Sequence, residues 1–408
     1  MSKNFRRVAV ACLALTTSVA AWLPAAAEEG PTVSKALAKP LKAAQDSLNA
    51  GSLDQAIAQL KEAQGSSDKN AYDVFVINEM LGSAYAKKKD FAAAVTPLQA
   101  DLDSPYLGGA TAVNQRLKAL MQLNWQLKNW PAVTDYASRL VKAGEGGDDI
   151  QVLLGNAYYL QSKWKDALSA MQTLVASQEK AGKKPEETSL RIIQDCYTKL
   201  GDDAGAAKAM DKLVGYYPKP EYFQNAVVAL LKTREGGDRF KLNVYRLALD
   251  LGLLKVGDSY TEMAQIDLDQ GLPGEAQAVL EQAVSKKLYT EVRDQQRNER
   301  LMENARKQAT VDKAGLAASE KSAAAAATGD SLVQVGVAYM TYGDNAKAVA
   351  LITQGIQKGG LKSADEAYLE LGIAQFRSKN QAEAAKAFDK VSDNSIWGRL
   401  AKLWSLRR

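Results

Sequence analysis

The feature that most constrains this chain is a recurring unit of two helices. From Asp148 the sequence reads Leu154-Gly-Asn-Ala-Tyr-Tyr159, then Lys163-Trp164-Lys-Asp-Ala167, Met171 and Leu174. Apolar residues at helical spacing are followed by a short break and a second apolar helix face. The same order returns as Leu81-Gly82 with Tyr85, Phe91, Ala94 and Leu98, and as Val335-Gly336 with Tyr339, Gly343, Ala348 and Ile352. Gly or Ala lets two antiparallel helices approach closely, and bulky Leu, Tyr and Phe side chains fill the space beside them. The apolar face left over on each pair is buried only by another pair, so such units stack.

This order resembles the tetratricopeptide repeat family, a helical pair of ~34 residues. Clear copies begin near Leu37, Phe75, Asn114, Asp148, Glu187, Gly257, Gly329 and Asp365, with degenerate slots near Glu221 and Arg293. The starts average about 36 residues apart, close to the family period. The copy from Glu187 carries Ile193, Tyr197, Gly201, Ala206, Met210, Leu213 and a helix-ending Pro218. The resemblance implies an all-α fold, a right-handed superhelical solenoid of antiparallel helix pairs with about twenty helices.

The departures carry information too. Phe240 stands where the family usually has a small residue, which predicts a wider helix crossing and a bend. Residues 293–321 are rich in Arg, Lys and Glu and run into Ala323–Ala327; they predict a solvated helical pair with Glu303 and Lys307 at i,i+4, or else a partner-specific insertion. Gly-, Pro- and Ser-rich connections at 65–70, 103–109, 144–148 and 180–185 read as loops, none long enough for another domain. The expected organisation is an N-terminal array at 28–220, degenerate repeats at 221–328 with a clear copy at 257–292, a C-terminal pair at 329–395, and a capping helix at 396–408. That last segment places Trp397, Leu400, Leu403 and Trp404 on one helical face; Arg399, Lys402, Arg407 and Arg408 offer contact with an anionic surface as the alternative.

At the N-terminus Lys3, Arg6 and Arg7 precede an apolar run from Val8 to Leu23 that ends in Pro24-Ala-Ala-Ala27. This is the pattern of a secretory signal spanning 1–27, which predicts a mature chain from Glu28 in the periplasm or outside the cell. A retained anchor is the alternative. Cys12 leaves with the signal, so Cys196 is the one remaining thiol and reads as a packed core residue. Losing Lys3, Arg6 and Arg7 takes the formal charge from +5 to +2, too little basic excess for a phosphate backbone, so no nucleic-acid partner is expected. No second long apolar run follows, and no transmembrane segment is expected after signal removal.

The chemistry of an active site is sparse. Without histidine, the chain lacks Ser-His-Asp and Cys-His arrangements and a His general base. It also has no Gly-x-x-x-x-Gly-Lys-Ser/Thr loop. Asp148-Asp149 and Asp202-Asp203 stand at helix beginnings, where carboxylates suit the helix dipole. We expect no catalytic residues, no metal and no cofactor; an enzyme would need a separate domain, and no stretch is left over for one.

In the family, function lies on the concave surface made by the first helix of each pair, which binds peptides, helices or protein surfaces. On that pattern the resemblance implies groove positions Lys118, Gln122 and Trp125, then Val152, Asn156 and Tyr159, then Arg191, Asp195 and Lys199. Aromatic and Arg residues among them are the natural anchors. Members that grip a free C-terminal carboxylate use Lys and Asn one turn apart; here the equivalent pairs are Val152/Asn156, Lys118/Gln122 and Arg191/Asp195, which disfavours that mode. A weaker likeness, in Ala367-Tyr-Leu-Glu-Leu-Gly372 followed by Leu400-Ala-Lys-Leu-Trp404, is to periplasmic repeat proteins that accompany TonB-type systems. The expected role is an exported scaffold or adaptor for envelope proteins, in energy transduction or envelope assembly. Binding of a cell-wall or exported polysaccharide is the alternative, and groove aromatics would mark it.

Overall fold

The computed structural model describes residues 31–233 and 235–407. The signal-like segment 1–27, the start at Glu28 and Arg408 lie outside the described residues. Among the described residues there are twenty α-helices and no strand. The chain divides at Leu127 and Lys128 into two compact units, a boundary that falls inside the array read from the sequence as 28–220.

The first unit holds α1 (Lys35–Asn49), α2 (Leu53–Gly65), α3 (Ala71–Lys88), α4 (Phe91–Ala100) and α5 (Ala110–Gln126). Leu37, Leu41, Leu48, Ile57, Leu60, Ile77 and Leu81 form its core. Fully burying a side chain such as Leu60 contributes ~2 kcal/mol relative to leaving it exposed.

The second unit begins with α6 (Trp130–Lys142), α7 (Asp148–Leu160), α8 (Trp164–Lys180), α9 (Glu187–Lys199), α10 (Asp203–Tyr216), α11 (Pro220–Leu231) and α12 (Gly237–Asp250). It continues with α13 (Gly257–Asp269), α14 (Pro273–Ser285), α15 (Val292–Ala325), α16 (Asp330–Thr341), α17 (Asn345–Lys358), α18 (Ala364–Arg377), α19 (Gln381–Phe388) and α20 (Ile396–Ser405). The first helices begin within a residue of the repeat starts read at Asp148, Glu187, Glu221, Gly257, Gly329 and Asp365. In the first unit they begin within four residues of Leu37, Phe75 and Asn114.

Local chemistry explains these boundaries. The turn between paired helices uses one residue in the left-handed region, Lys89, Gly201 or Gly343, and an aspartate follows it at once. That aspartate caps the second helix: Asp90 accepts from the Ala93 amide, Asp202 from Gly205 and Asp344 from Lys347, at 2.8–3.2 Å. Asp202 is thus a cap, while Asp148 and Asp149 sit in the first turn of α7.

Close packing within pairs rests on one glycine in the first helix. A Cβ on Gly82, Gly155, Gly336 or Gly372 would lie 2.3–2.8 Å from Leu98, Met171, Ile352 or Phe388 respectively. Each partner stands sixteen positions further on, so the repeats place the same contact in both units.

The structure corrects one expectation. Residues 292–325 form a single 34-residue helix, not a pair. The segment has no proline, and Gly315 is its one glycine; nothing in Ala, Arg, Lys, Glu and Gln dictates a turn. The Glu303–Lys307 pair is present at 2.7 Å on an otherwise solvated face. The opposite face, Asn298, Met302, Ala305, Ala309 and Leu316, is buried, and α15 packs between α14 and α16.

At the C-terminus, α20 lies on α18 and α19 and also reaches α10 and α12. Phe240, at the position where a wide crossing was expected, is buried edge-on against Trp397 at 5.4 Å. Trp404, fully buried, packs on Phe376 and Phe388.

Candidate partner-binding site

The positions expected to line a groove in the second unit lie on α7 and α9. Tyr159 Oη donates to Asp195 Oδ2 at 2.6 Å, one repeat along, and the Tyr159 ring meets Trp164 edge-on at 5.3 Å. Burial first, and then the Asp195 bond, hold the phenol well above its usual range, so it stays a donor. Asn156 is buried, and its side-chain amide donates to the Val152 carbonyl at 2.7 Å. Arg191 and Lys199 are exposed on α9, while Val152, Tyr159 and Asp195 are half-buried. The helices therefore bring Tyr159 and Asp195 into contact, with Arg191 and Lys199 exposed one turn to either side of Asp195. Cys196, beside Asp195, is buried; burial and then Asp195 push its thiol up to about 11, so it is not a thiolate at neutral pH.

Contacts one repeat apart continue along this unit. Lys219 donates to both oxygens of Glu187 at 2.6 and 2.7 Å, and Tyr222 donates to the same carboxylate. Glu179 takes Lys212 at 2.8 Å and Tyr216 at 2.9 Å. Burial opposes ionisation of Glu187, but the Lys219 and Tyr222 bonds outweigh it and hold the carboxyl below its ordinary value.

In the first unit Lys118, Gln122 and Trp125 lie on α5 at spacings of four and three, and all three are half-buried. Beside them a small buried polar network joins α3, α4 and α5: Arg116 donates to the Leu98 carbonyl at 3.0 Å and to Glu79, and Asn78 donates to Asp101 at 2.9 Å.

Sequence reasoning missed a concentrated buried polar cluster among the described residues. On α12, Arg239, Asn243 and Arg246 form a stripe that meets Glu366 and Glu370 on α18. Arg246, 1 % exposed, donates through Nε and Nη2 to Glu275 Oε2 at 2.8 and 2.6 Å, and through Nη1 to Glu370 Oε1 at 2.7 Å. Burial disfavours the charge on Arg246, but Glu275 and then Glu370 more than compensate and raise its pKa. Asp267, fully buried nearby, accepts from no described donor, and its carboxyl is hydrogen-bonded with that of Glu275. Burial, and then the charge of Glu275, push its carboxyl well above the normal range. The available signal was the i,i+4 pair Glu366–Glu370, two carboxylates on one face of α18. With no marker for α12 as its partner, 124 or more positions away, the pairing was not legible. Among the described residues no group of three or more His, Cys, Asp or Glu is arranged to hold a metal ion. Nor is any described helix long and apolar enough to cross a membrane.

Comparison with known proteins adds the following. No curated protein matches the chain. Among solved structures, Naa15/Naa10 bound to HypK-THB is 16 % identical with a TM-score of 0.33, covering 86 % of this chain and 57 % of that one. This chain thus spans a little over half the length of that protein. A tetratricopeptide repeat protein from Parabacteroides merdae is 14 % identical with a TM-score of 0.22, over 81 % of this chain and 98 % of that one. Yeast Tom70 is 11 % identical with a TM-score of 0.26, over 90 % and 94 %. Two stretches match tetratricopeptide repeat families, residues 195–220 and 336–395. The first spans the turn where Gly201 and Asp202 join α9 to α10, and the second holds the Gly336–Ile352 and Gly372–Phe388 contacts. The helix pairs and these two matches show tetratricopeptide repeats in the chain, a fold that suggests a protein-interaction scaffold.

Proposed function

We propose that this protein is an exported scaffold that holds other envelope proteins together in the periplasm, in an envelope-assembly or TonB-type energy-transduction system. The observation that carries the scaffold reading is the first-helix face of α7 and α9. There a fixed Tyr159–Asp195 rung stands beside the exposed cations Arg191 and Lys199, a mix of rigid aromatic anchor and charge that suits a protein surface. Export rests on the signal-like segment 1–27, and the TonB association on the C-terminal sequence likeness. The partner docks on this first-helix face, with Arg191 orienting an acidic or carbonyl group.

The experiment is affinity capture from envelope extracts with tagged chain, run beside the Arg191→Ala, Lys199→Ala double variant. Cell fractionation and N-terminal sequencing accompany it. Enrichment of a discrete set of envelope proteins that the variant fails to hold is the expected result, with the tagged protein beginning at or near Glu28. Cytosolic recovery with an intact Met1 would remove the exported reading, and equal capture by the variant would move the docking face elsewhere.

A further inference from the structure

Three aromatic side chains of the first unit meet at its surface. Tyr72 and Phe75, one turn apart near the start of α3, have ring centroids 6.1 Å apart and planes only 24° from parallel. Tyr106, from the loop after α4, stands 5.2 Å from Tyr72 at 72° and 6.0 Å from Phe75 at 51°. All three are half-buried, and Val74, between the first two in sequence, is 38 % exposed.

The backbone that carries these rings is itself fixed. Asn70 and Asp73 close a capping box at the start of α3. In the loop, the Ser104 and Leu107 amides donate to the Asp101 and Ser104 carbonyls, and the Tyr106 amide donates to Ser104 Oγ at 3.3 Å. The result is an angled platform, two near-parallel rings with a third turned steeply across them, assembled before any ligand arrives.

Its chemistry narrows the occupant. Residues 70–75 and 101–109 contain no Lys or Arg, and Asp103 is exposed, so an acidic ligand finds no partner in these segments. The polar side chains beside the rings are already engaged. Asn70 holds the Asp73 amide at 2.8 Å and the Thr32 carbonyl at 3.4 Å, Asp73 holds the Ser34 and Asn70 amides at 3.0 and 2.9 Å, and Ser104 holds the Tyr106 amide. What remains is the ring faces and the phenol hydroxyls of Tyr72 and Tyr106, which bond to nothing among the described residues. A glycan would bring many hydroxyls to a surface with few groups to answer them, and each one left unpaired costs affinity.

A polyproline II strand fits these features. With about three residues per turn it has a ridged, three-sided section that suits an angled platform. Its pyrrolidine C–H groups beside the amide nitrogen carry partial positive charge, which complements the negative face of an aromatic ring. Proline brings no N–H to leave unpaired, and the strand's carbonyls have no internal partner and can accept from the phenols. The strand is extended before it binds, so docking costs little conformational freedom. The start of α3 already holds backbone of this kind: Ser34, with φ −59° and ψ 148°, has polyproline II geometry, and Thr32 and Ser34 bond to Asn70 and Asp73.

We propose that the Tyr72–Phe75–Tyr106 face docks a proline-rich strand of a partner protein. Proline rings lie on Phe75 and against Tyr106, and strand carbonyls accept from the hydroxyls of Tyr72 and Tyr106. This surface belongs to the first unit and goes beyond the α7–α9 face proposed above.

The test uses the full chain carrying 3-fluorotyrosine, with the Tyr72 and Tyr106 fluorine resonances identified from Tyr72→Phe and Tyr106→Phe. It is titrated with acetyl-hexaproline-amide, a Gly-Ser peptide of equal length and an N-acetylglucosamine hexamer. Saturable shifts of both resonances with hexaproline alone are expected. Equal shifts with the Gly-Ser peptide, larger shifts with the glycan, movement with protein concentration before any ligand is added, or no movement at all overturns the proposal. Anisotropy of fluorescein-tagged hexaproline then compares variants. Phe75→Ala should weaken binding about tenfold, as truncating a hot-spot side chain does. Because that change also thins the packing at the start of α3, the double variant Tyr72→Phe, Tyr106→Phe is the companion: it keeps every ring, removes both donors, and should weaken binding about fivefold. Unchanged binding by either variant overturns the proposal. Hexaproline binding is read without envelope partners, so its failure leaves the α7–α9 face untouched, and failed capture at that face leaves this surface standing.

Discussion

Arg399 on the last helix donates through Nε to both carboxylate oxygens of Asp211, at 2.9 and 3.2 Å, across 188 positions of sequence. The contact ties α20 to α10, and Trp397 against Phe240 ties it to α12. Burial raises the Asp211 carboxyl above its ordinary value, and Arg399 offsets only part of that rise. Arg399→Met should therefore leave a buried carboxylate without its partner and destabilise the second unit by about 2–4 kcal/mol. Adding Asp211→Asn should return part of the loss, so the double variant costs less than the sum of the singles. Denaturant unfolding followed through Trp397 and Trp404 fluorescence reads the change; additive losses would show that the two residues act independently.

The first unit contains a carboxyl with a marked pH signature. Burial, opposed only in part by the hydrogen bond from Asn78, pushes Asp101 up to about 6 from a model-peptide value of 3.8. The folded value lies above the unfolded one, so between these limits the folded chain binds more protons. The contribution is fully present below the unfolded value and is lost as pH rises through about 6. Asp101→Asn should remove this dependence and make the unit more stable at pH 7 by about 1–2 kcal/mol. Whole-chain melts would mix the two units, so amide exchange on α3 to α5 at pH 4, 5.5 and 7 is the suitable measurement. Exchange protection of the variant that still varies with pH like that of the parent would show that another group dominates.

The shared glycines offer a graded test of packing. A Cβ on Gly372 would lie 2.3 Å from the Phe388 ring, whereas one on Gly155 would meet the flexible end of Met171 at 2.8 Å. A rigid ring pinned against Trp404 cannot move aside as a thioether can. Gly372→Ala should cost about 2–3 kcal/mol and Gly155→Ala about 1 kcal/mol or less, in spite of the gain in helix propensity that alanine brings to both. Equal losses in thermal denaturation would mean that the repeats relax as whole helix pairs.

Much of the helical framework was legible because each unit states its own needs locally. Gly82, Gly155, Gly336 and Gly372 mark close approaches, and Asp90, Asp202 and Asp344 mark helix starts, all inside a window of one repeat. Two features escaped for a common reason, that they depend on partners far away in sequence. The pairing of Arg246 with Glu370 spans 124 positions, and Arg407 with Asp250 spans 157. The one local misreading, a helix pair at 293–321, came from imposing the repeat period where no turn residue supported it. For the groove, spacing alone placed Tyr159 and Asp195 on the same face but gave no sign that they bond to each other.

That bond separates structure from recognition at the candidate site. Tyr159 is held by Asp195 at 2.6 Å and by Trp164, so Tyr159→Phe should lose about 1 kcal/mol by removing one hydrogen bond to a charged acceptor and leaving Asp195 with less support. Arg191 is exposed on the same face and its charge acts on Tyr159 and Glu187, so Arg191→Ala should cost no more than about 1 kcal/mol of stability. If the α7–α9 face takes the partner, Arg191→Ala should nonetheless weaken capture by at least ~1.4 kcal/mol, a factor of ten, whereas Tyr159→Phe, which keeps the ring, should weaken it less. Melting temperature and partner affinity measured on both variants decide the matter. A variant pattern in which Arg191→Ala binds like the parent while Tyr159→Phe loses both stability and affinity would make this face a structural rung, and would send the search for the docking surface to other first helices.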